Sequence, residues 1–103
     1  MSSTKIVSKI TYFDFKEIVE FHNIIVNSHA YFRLNQMQRN IYKDETIIRI
    51  LLKEKPVLIG LQKNNRYAAF FKRKEGYLRI IFEIKENKLE IITFYITEVL
   101  PKI

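Results

Sequence analysis

Hydrophobic residues in the first quarter of the chain recur at the spacing of one helix face. The positions i, i+3, i+4 and i+7 of this stripe are Phe15, Ile18, Val19 and His22. Asp14 precedes the stripe, and Glu17 lies three residues after Asp14. This is the spacing of a capping box at a helix N-terminus. The pattern predicts a first helix that begins at Asp14. His22 ends the apolar stripe, so we interpret it as a structural residue.

Two more helices are predicted before Pro56. Ser28 is a favourable N-cap for a helix over 29–38. The inward-facing residues of that helix are expected to be Ala30, Leu34 and Met37. Asp44 is a favourable cap for a third helix over 44–54, with an apolar stripe formed by Ile47, Ile48, Leu51 and Leu52. Pro56 then ends the helical part of the chain.

After Pro56 the hydrophobic period changes to two, which predicts β-strands. The expected strands are Val57–Leu61, Arg66–Phe71, Tyr77–Ile84 and Leu89–Ile96. Their connections are short enough for antiparallel hairpins, and they are Gln62–Asn65, Lys72–Gly76 and Lys85–Lys88. Upstream, the β-branched run Ile24–Val26 predicts a strand or an extended link.

These elements predict an α+β fold, in which N-terminal helices cover one face of a four-stranded antiparallel meander sheet. The 103 residues are expected to form a single domain over 1–103, with a core over about 14–97. Residues 1–5 and 101–103 are expected to be frayed.

The register of the last two predicted strands decides which polar side chains share a face. In the simplest register across the Lys85–Lys88 turn, Arg79 lies opposite Phe94. A one-residue slip or a bulge places Arg79 opposite Tyr95 instead. We predict that Arg79, Thr93 and Tyr95 lie together on the more open face of the sheet.

Charge is distributed unevenly and favours a polyanionic partner. The chain has 18 Lys and Arg against 11 Asp and Glu, a net charge of +7, and most of the excess lies after residue 52. A basic surface of this kind attracts nucleic acid through counterion release, although a solvated surface that keeps the protein soluble is the plainer interpretation. The candidate nucleic-acid-binding residues are Arg39, Lys63, Arg66, Lys72, Arg73 and Lys74.

Other chemistries are disfavoured by composition. With no Cys, a disulfide framework or a thiolate site is excluded. Two His without acidic residues at ligand spacing make a metal site improbable, and Gly60 and Gly76 stand alone rather than in a phosphate-binding loop. No cofactor is therefore expected. No apolar run is long enough for a signal or a membrane span, so we expect a cytoplasmic protein with no membrane partner.

The most distinctive chemistry lies where the predicted strand meets the second helix. His29 and Arg33 are four residues apart, so on a helix they share one face. An imidazole titrates near neutral pH, and an arginine fork binds phosphate through several donors. This pair favours phosphate chemistry. In the plainer interpretations, His29 caps or packs, and Arg33 makes a surface contact with Asp44 or Glu45.

Several short motifs together resemble a known family. They are His29-Ala30, Arg33, Arg39-Asn40-Ile41, the Leu51-Leu52 pair before Pro56, and Ile91-Ile92-Thr93-Phe94-Tyr95. Over residues 14–97 the chain resembles small prokaryotic domains related to the barnase–EndoU–colicin–RelE class of ribonuclease toxins. That family keeps its two arginines about one helical turn apart, whereas Arg33 and Arg39 are separated by six residues.

The resemblance implies metal-independent RNA cleavage, in which the 2′-hydroxyl of the RNA attacks the adjacent phosphate. It implies His29 as acid or base, Arg33 as a phosphate ligand and Arg79 as a second cation. Thr93 and Tyr95 would position the scissile group or stack a base. An acidic antitoxin is then a candidate partner.

Two other functions stay open. One is a nucleic-acid-binding module without catalysis, for which the basic strands suffice. The other is a protein-interaction domain that uses the basic face of its sheet.

Overall fold

The computed structural model describes residues 4–102, which form three helices and one six-stranded sheet. The strands are β1 (Ile6–Lys9), β2 (Asn23–Val26), β3 (Leu58–Gln62), β4 (Tyr67–Arg73), β5 (Gly76–Lys85) and β6 (Lys88–Thr97). The helices are α1 (Tyr12–Glu20), α2 (Gln36–Ile41) and α3 (Asp44–Lys53). The predicted α+β class is confirmed.

The sheet is mixed and has the order β1-β3-β4-β5-β6-β2. The predicted antiparallel meander is present as β3 to β6. The prediction of four strands was wrong, because β1 pairs antiparallel with β3 and β2 pairs parallel with β6. β2 contains the run Ile24–Val26, so the strand alternative predicted there is confirmed, whereas β1 was not predicted.

Two residues of the N-terminal segment that was predicted to be frayed make backbone hydrogen bonds. The carbonyl of Lys5 accepts a hydrogen bond from the Lys63 amide at 2.8 Å, and that of Thr4 accepts from Arg79 Nη2 at 2.9 Å. Both contacts attach this segment to the sheet. Residues 101–102 of the predicted frayed C-terminus lie outside regular structure. The other residues of the two predicted ends, 1–3 and 103, lie outside the described residues.

Helices α1 and α3 pack as predicted but begin differently. The N-cap of α1 is Thr11, whose side chain accepts from the Asp14 amide at 3.1 Å. Asp14 therefore lies in the first turn, and the predicted capping box is absent from it. Asp44 is likewise the first residue of α3 rather than its cap, a position where its charge suits the helix dipole.

The predicted helix over 29–38 was wrong. Residues 28–34 form successive turns, and the helix begins only at Gln36, where Asn35 provides a complete capping box with Gln38. Asn27 replaces the predicted cap Ser28, because its Oδ1 accepts from the His29 amide at 2.8 Å. Short polar side chains such as Asn compete with helical hydrogen bonds in this way. Ala30 and Leu34 are buried as predicted, and Met37 is 73% exposed.

The main core lies between the helices and one face of the sheet, here called the inner face. Phe15 and Val19 of α1 and Ile47 and Leu51 of α3 are buried against it. The strands contribute the alternating residues Ala69, Phe71, Leu78, Ile80, Phe82, Leu89, Ile91 and Phe94. The opposite, outer face carries a smaller apolar cluster of Ile6, Ala68, Phe70 and Ile81.

The predicted sharing of one face by Arg79, Thr93 and Tyr95 is confirmed. Arg79 lies opposite Tyr95, and Ile81 opposite Thr93, both on the outer face. The register shifts after Ile81, where Ile92 is the extra residue of a β-bulge. This bulge reconciles the Lys85–Lys88 turn with the Tyr95 pairing, since one inserted residue reverses the facing of every later side chain.

A candidate site on the outer face of the sheet

The turn segment 28–34 runs along the end of β6 and contributes to both faces of the sheet. Ala30 and Leu34 anchor it in the main core. Tyr31 packs edge-on against Phe94 at 5.1 Å between ring centroids and donates a hydrogen bond to Asp44. Burial, together with that bond to an anion, raises the pKa of the Tyr31 phenol. Contacts with the core therefore hold the segment in place, and its remaining side chains lie on the outer side of the sheet.

Those displayed side chains line a groove of about 470 Å³ on the outer face, here called the sheet groove. His29, Phe32 and Arg33 form one wall of it. Its base and other wall include Gln62, Arg66, Ile81, Glu83, Glu90 and Thr93. His29 and Arg33 thus line one site without sharing a helix face.

The outer face changes character along β5 and β6, where Glu83, Glu90, Ile81 and Thr93 line the groove and the next pair, Arg79 and Tyr95, lies just beyond its lining. Three facing pairs succeed one another, namely Glu83 with Glu90, Ile81 with Thr93, and Arg79 with Tyr95. Adjacent pairs on β5 are two residues apart, so the acidic pair and the arginine pair are separated by about 13 Å. One end of this row of pairs is acidic and the other, next to the groove, is cationic.

Two arginines form the cationic end. The guanidinium carbon of Arg33 lies 3.7 Å from the centroid of the Tyr95 ring, a cation–π contact that orients the side chain. Arg79 lies across the Phe70 ring at 4.9 Å, and its Nη2 donates to Gln62 Oε1 at 2.7 Å. Within residues 4–102, neither arginine forms an ion pair with a carboxylate. Both positive charges are therefore available to an anion.

Burial lowers the pKa of the Arg79 guanidinium, and repulsion from Arg33 acts in the same direction, partly opposed by Tyr95. Arginine nevertheless stays protonated at neutral pH. Two like charges close together in a partly buried site repel each other, and a bound anion would relieve that repulsion.

Two buried polar atoms lie in or beside the groove without a hydrogen-bond partner in the described part of the chain. They are Thr93 Oγ1 and Arg79 Nε. Buried polar atoms are usually satisfied, and one that is not suggests a missing water or ligand. One such atom is a hydroxyl oxygen and the other a donor nitrogen, and both residues lie on the outer face of the sheet.

The acidic end is partly neutralised by two bases. Glu83 accepts from Lys85 Nζ at 2.9 Å and from Arg66 Nε at 3.0 Å. Hydrogen bonds from Lys85 and Arg66 lower the pKa of the Glu83 carboxyl. The nearby Glu90 accepts from Asn27 Nδ2 at 2.9 Å. Arg66, a predicted nucleic-acid ligand, therefore lines the groove but already has a carboxylate partner.

The other predicted nucleic-acid ligands are dispersed. Arg73 belongs to the helix side, where both of its terminal nitrogens bind Glu54, at 2.9 and 3.1 Å. Burial alone would lower the pKa of the Arg73 guanidinium, but the pairing with Glu54 outweighs burial and raises it. Lys72 lies over Tyr77 at 5.1 Å, and Arg39 donates to the Leu34 carbonyl at 3.1 Å. Lys63 and Lys74 are exposed in the β3–β4 and β4–β5 turns. These residues do not form one continuous surface.

His22 is held as a structural residue. Its Nδ1 lies 2.6 Å from the Ile18 carbonyl, so it donates its proton within the end of α1. It lines a second depression of about 510 Å³ between α1, α3 and β2, together with Lys16 and Lys53. The amine of Lys16 there pairs with Glu20 at 3.4 Å and donates to the Leu52 carbonyl. Because Lys16 is already paired within the protein, this depression is a weaker candidate for binding an anion than the sheet groove.

Sequence reasoning missed Phe32 and Gln62. Phe32, an aromatic residue that the sequence patterns do not assign to any site, is 71% exposed. Gln62 was placed in a connection, yet it ends β3 and is fully buried beside Arg79. An apolar residue between His29 and Arg33 was the available signal for Phe32. Gln62 carried no local signal, because its role depends on a residue 17 positions later.

Comparisons of the chain with models of protein families, with curated proteins and with solved structures found no match. Among residues 4–102, no helix is long and apolar enough to cross a membrane. The same residues contain no cluster of three or more His, Asp or Glu side chains arranged to hold a metal ion. The case for a function therefore rests on the groove itself.

Proposed function

We propose that the protein is a metal-independent ribonuclease whose site is the cationic part of the outer face, where Arg33 of the sheet groove meets Tyr95 and Arg79. The observation that carries this proposal is the convergence of five residues. Those residues are His29, Arg33, Arg79, Thr93 and Tyr95. They come from a turn and two strands, which are up to 66 positions apart in the chain. Such convergence on one face supports a shared role.

The proposed reaction is transesterification within RNA. Neutral His29 takes the proton of the 2′-hydroxyl as the O2′–P bond forms, and the P–O5′ bond then breaks. The products are a 2′,3′-cyclic phosphate and a 5′-hydroxyl. The leaving 5′-oxygen takes a proton, for which the Tyr95 hydroxyl beside Arg79 is the candidate donor. His29 is exposed, which suits exchange of its proton with water between turnovers.

The two arginines would stabilise the additional negative charge of the transition state. A planar guanidinium offers several donors to phosphate oxygens, and preorganised positive charge is an effective means of lowering such a barrier. The lone Thr93 hydroxyl and the Arg79 Nε supply a further donor each. Preorganisation is supported by the Tyr95 and Phe70 rings, which hold Arg33 and Arg79.

The resemblance to barnase–EndoU–colicin–RelE toxins extends the proposal. A toxin of this kind would have an acidic antitoxin that covers the groove and pairs with Arg33 and Arg79. Arg39, six residues after Arg33, donates to the Leu34 carbonyl instead of entering the groove. The proposed site therefore uses Arg79 as the second cation in place of Arg39.

A non-catalytic RNA-binding module is the second candidate. The observation that favours it is the single imidazole of the groove, since proton transfer at both ends of the reaction commonly uses two such groups. Binding alone would need the two arginines and Thr93, whereas it would not need His29. The role of His29 therefore separates the two candidates.

The test is incubation of end-labelled single-stranded RNA with the protein in EDTA. Wild-type protein is expected to yield discrete fragments with cyclic phosphate ends. His29→Ala is expected to reduce the cleavage rate by about 100- to 10,000-fold, the usual contribution of a general acid or base. His22→Asn is the matched control, because that histidine lies on the helix side and should leave the rate unchanged.

The outcomes distinguish the candidates. RNA that binds the wild-type protein but stays intact would reject the ribonuclease and favour the binding module. Equal cleavage by wild type and His29→Ala would remove His29 from the chemistry. Failure to bind or cut RNA, together with capture of an acidic protein, would favour the interaction domain.

A further inference from the structure

We propose that Phe32 is a base-stacking platform, which restricts the groove to unpaired nucleotides. This inference rests on the proposed function for its ligand class, but it concerns recognition rather than cleavage. Phe32 lines the sheet groove and is 71% exposed. Single exposed apolar residues are common on protein surfaces, so exposure alone has no functional meaning. Phe32 differs from such residues because it lies in the chain between His29 and Arg33, which line the same groove.

The backbone fixes where the ring is displayed. The Phe32 amide donates to the His29 carbonyl at 3.2 Å, and the following turn is closed by Leu34 bonding to Tyr31 at 3.0 Å. Buried Ala30 and Leu34 hold the segment on both sides. Phe32 therefore lies on a hydrogen-bonded turn that is anchored in the core. Because the turn is already ordered, stacking a base on the ring costs less conformational entropy.

The neighbours of Phe32 fit the parts of one nucleotide. Arg33 follows it directly and lies over Tyr95 in the cationic part of the outer face, where a phosphate would bind. A base attached to that phosphate is within reach of the ring that precedes Arg33. Aromatic rings stack every base, because each base has a π-face. The geometry thus places a phosphate site and a stacking site side by side.

This arrangement selects single strands. A base inside a duplex is already stacked and paired, so it cannot cover Phe32 without being flipped out of the helix, which costs energy. Proteins that recognise single-stranded RNA combine positive charge with exposed aromatic rings in this way. The substrate class is therefore unpaired RNA, in a single strand, a loop or a bulge.

The chain offers a matched control and a direct probe. Phe13 is also 71% exposed, but it lies on α1, which packs against the inner face of the sheet. The chain contains no Trp, so Phe32→Trp and Phe13→Trp each introduce a single fluorophore. A base stacked on the indole should quench its fluorescence. The ligand would be a 2′-O-methyl single strand of about 12 nucleotides, which cannot be cleaved and exceeds a minimal single-strand site.

We expect this strand to quench the fluorescence of Phe32→Trp and leave Phe13→Trp unchanged. Phe32→Ala should bind it about 5- to 150-fold more weakly than wild type, the range of base–aromatic stacking. Phe13→Ala should bind like wild type. A fully paired duplex of the same sequence should bind more weakly, and Phe32→Ala should not change its affinity.

Two results would overturn the stacking role. The first is binding of the single strand without quenching of Phe32→Trp and without a loss in Phe32→Ala. The second is an equal loss in Phe32→Ala and Phe13→Ala. Neither result affects the cleavage assay, so the ribonuclease proposal could survive them. Conversely, quenching of Phe32→Trp by a protein that leaves all-ribose RNA intact would retain the stacking site and reject the ribonuclease. Absence of binding by any variant, wild type included, would reject both.

Discussion

The two faces of the sheet are built from the same strands but differ in what they bury. The inner face is covered by α1 and α3, and its Phe71, Phe82 and Phe94 are fully buried among aliphatic side chains. The outer face also buries apolar residues, yet among them it holds Gln62 and Arg79. Alternation along β5 separates the two sets, since neighbouring residues point to opposite faces.

This difference shows how a small domain can combine a stable core with an unusual polar site. The helices protect the inner face from water, so packing there contributes most to stability. The outer face is covered only partly, by Thr4, the Ile6 side chain and the segment 28–34, and polar groups can remain there without full neutralisation. Rigid strands fix their positions, which favours precise binding.

The largest expected effect is on the inner face. Phe82 is fully buried and stacks on Tyr67 at 5.3 Å. Phe82→Ala should lower the free energy of unfolding by about 3–5 kcal/mol, because it removes buried apolar surface and leaves a cavity. Urea denaturation would measure this. Thr93→Val on the outer face should be neutral or stabilising, since it removes a hydroxyl that lacks a partner in the described chain. Equal destabilisation by both changes would contradict the comparison.

The next effect concerns the polar part of the outer face. Gln62→Leu should lower the free energy of unfolding by about 1.5–3 kcal/mol, because the partly buried Arg79 Nη2 loses one of its two acceptors and Asn64 loses the donor on Gln62. Gln36→Leu on exposed α2 is the matched control. Its amide also donates to a neighbouring side chain, Asn40, at 3.2 Å, but in water. The control should stay within about 0.5 kcal/mol of wild type. Similar losses in both variants would show that burial of Gln62 has no special role.

A smaller effect separates the arginines of the two faces. Arg33→Ala should weaken binding of single-stranded RNA about tenfold, which is about 1.4 kcal/mol. It should also reduce the slope of log affinity against log salt by about 0.7, the value for one phosphate contact on a single strand. Arg73→Ala should change neither, because Arg73 is occupied by Glu54 on the helix side. Fluorescence anisotropy titrations of RNA with each variant at several salt concentrations would measure both the affinity and its salt dependence. Equal losses for both arginines would indicate a diffuse basic surface instead of a groove.

The smallest effect is a pH dependence at the acidic end of the groove. Bonds from Lys85 and Arg66 lower the folded-state pKa of Glu83, so its ionised form stabilises the native protein at neutral pH. That contribution is complete above the usual glutamate pKa of about 4.3 and is lost as the pH falls through the lower folded value. Partly exposed pairs contribute at most about 1 kcal/mol.

The measurement compares the unfolding free energy of wild type and Glu83→Gln by urea denaturation. Wild type should be more stable at pH of about 7, and the difference should shrink towards zero near pH of about 3. A difference that is independent of pH would assign the stabilisation to packing rather than to charge.

Local pattern was sufficient for much of the fold. The period of two after Pro56 located β3 to β6, and the apolar stripes located α1 and α3. The alternation of β5 located Arg79 on the open face, and the confirmed sharing of that face by Thr93 and Tyr95 depends on the β-bulge at Ile92. These predictions succeeded because side-chain periodicity is a local property of helices and strands.

Tertiary structure decided the rest, because the remaining features depend on contacts between distant residues. Strand β1 exists through pairing with β3, and β2 through parallel pairing with β6. Residues 28–34 carry a helical pattern, but the hydrogen bonds of Asn27 and the burial of Leu34 turn them into a wall of the groove. The meeting of Arg33 with Tyr95, and of Gln62 with Arg79, likewise has no local signal. The sequence by itself determined the class of fold and the residues suited to phosphate chemistry, and only long-range packing determined which of them meet.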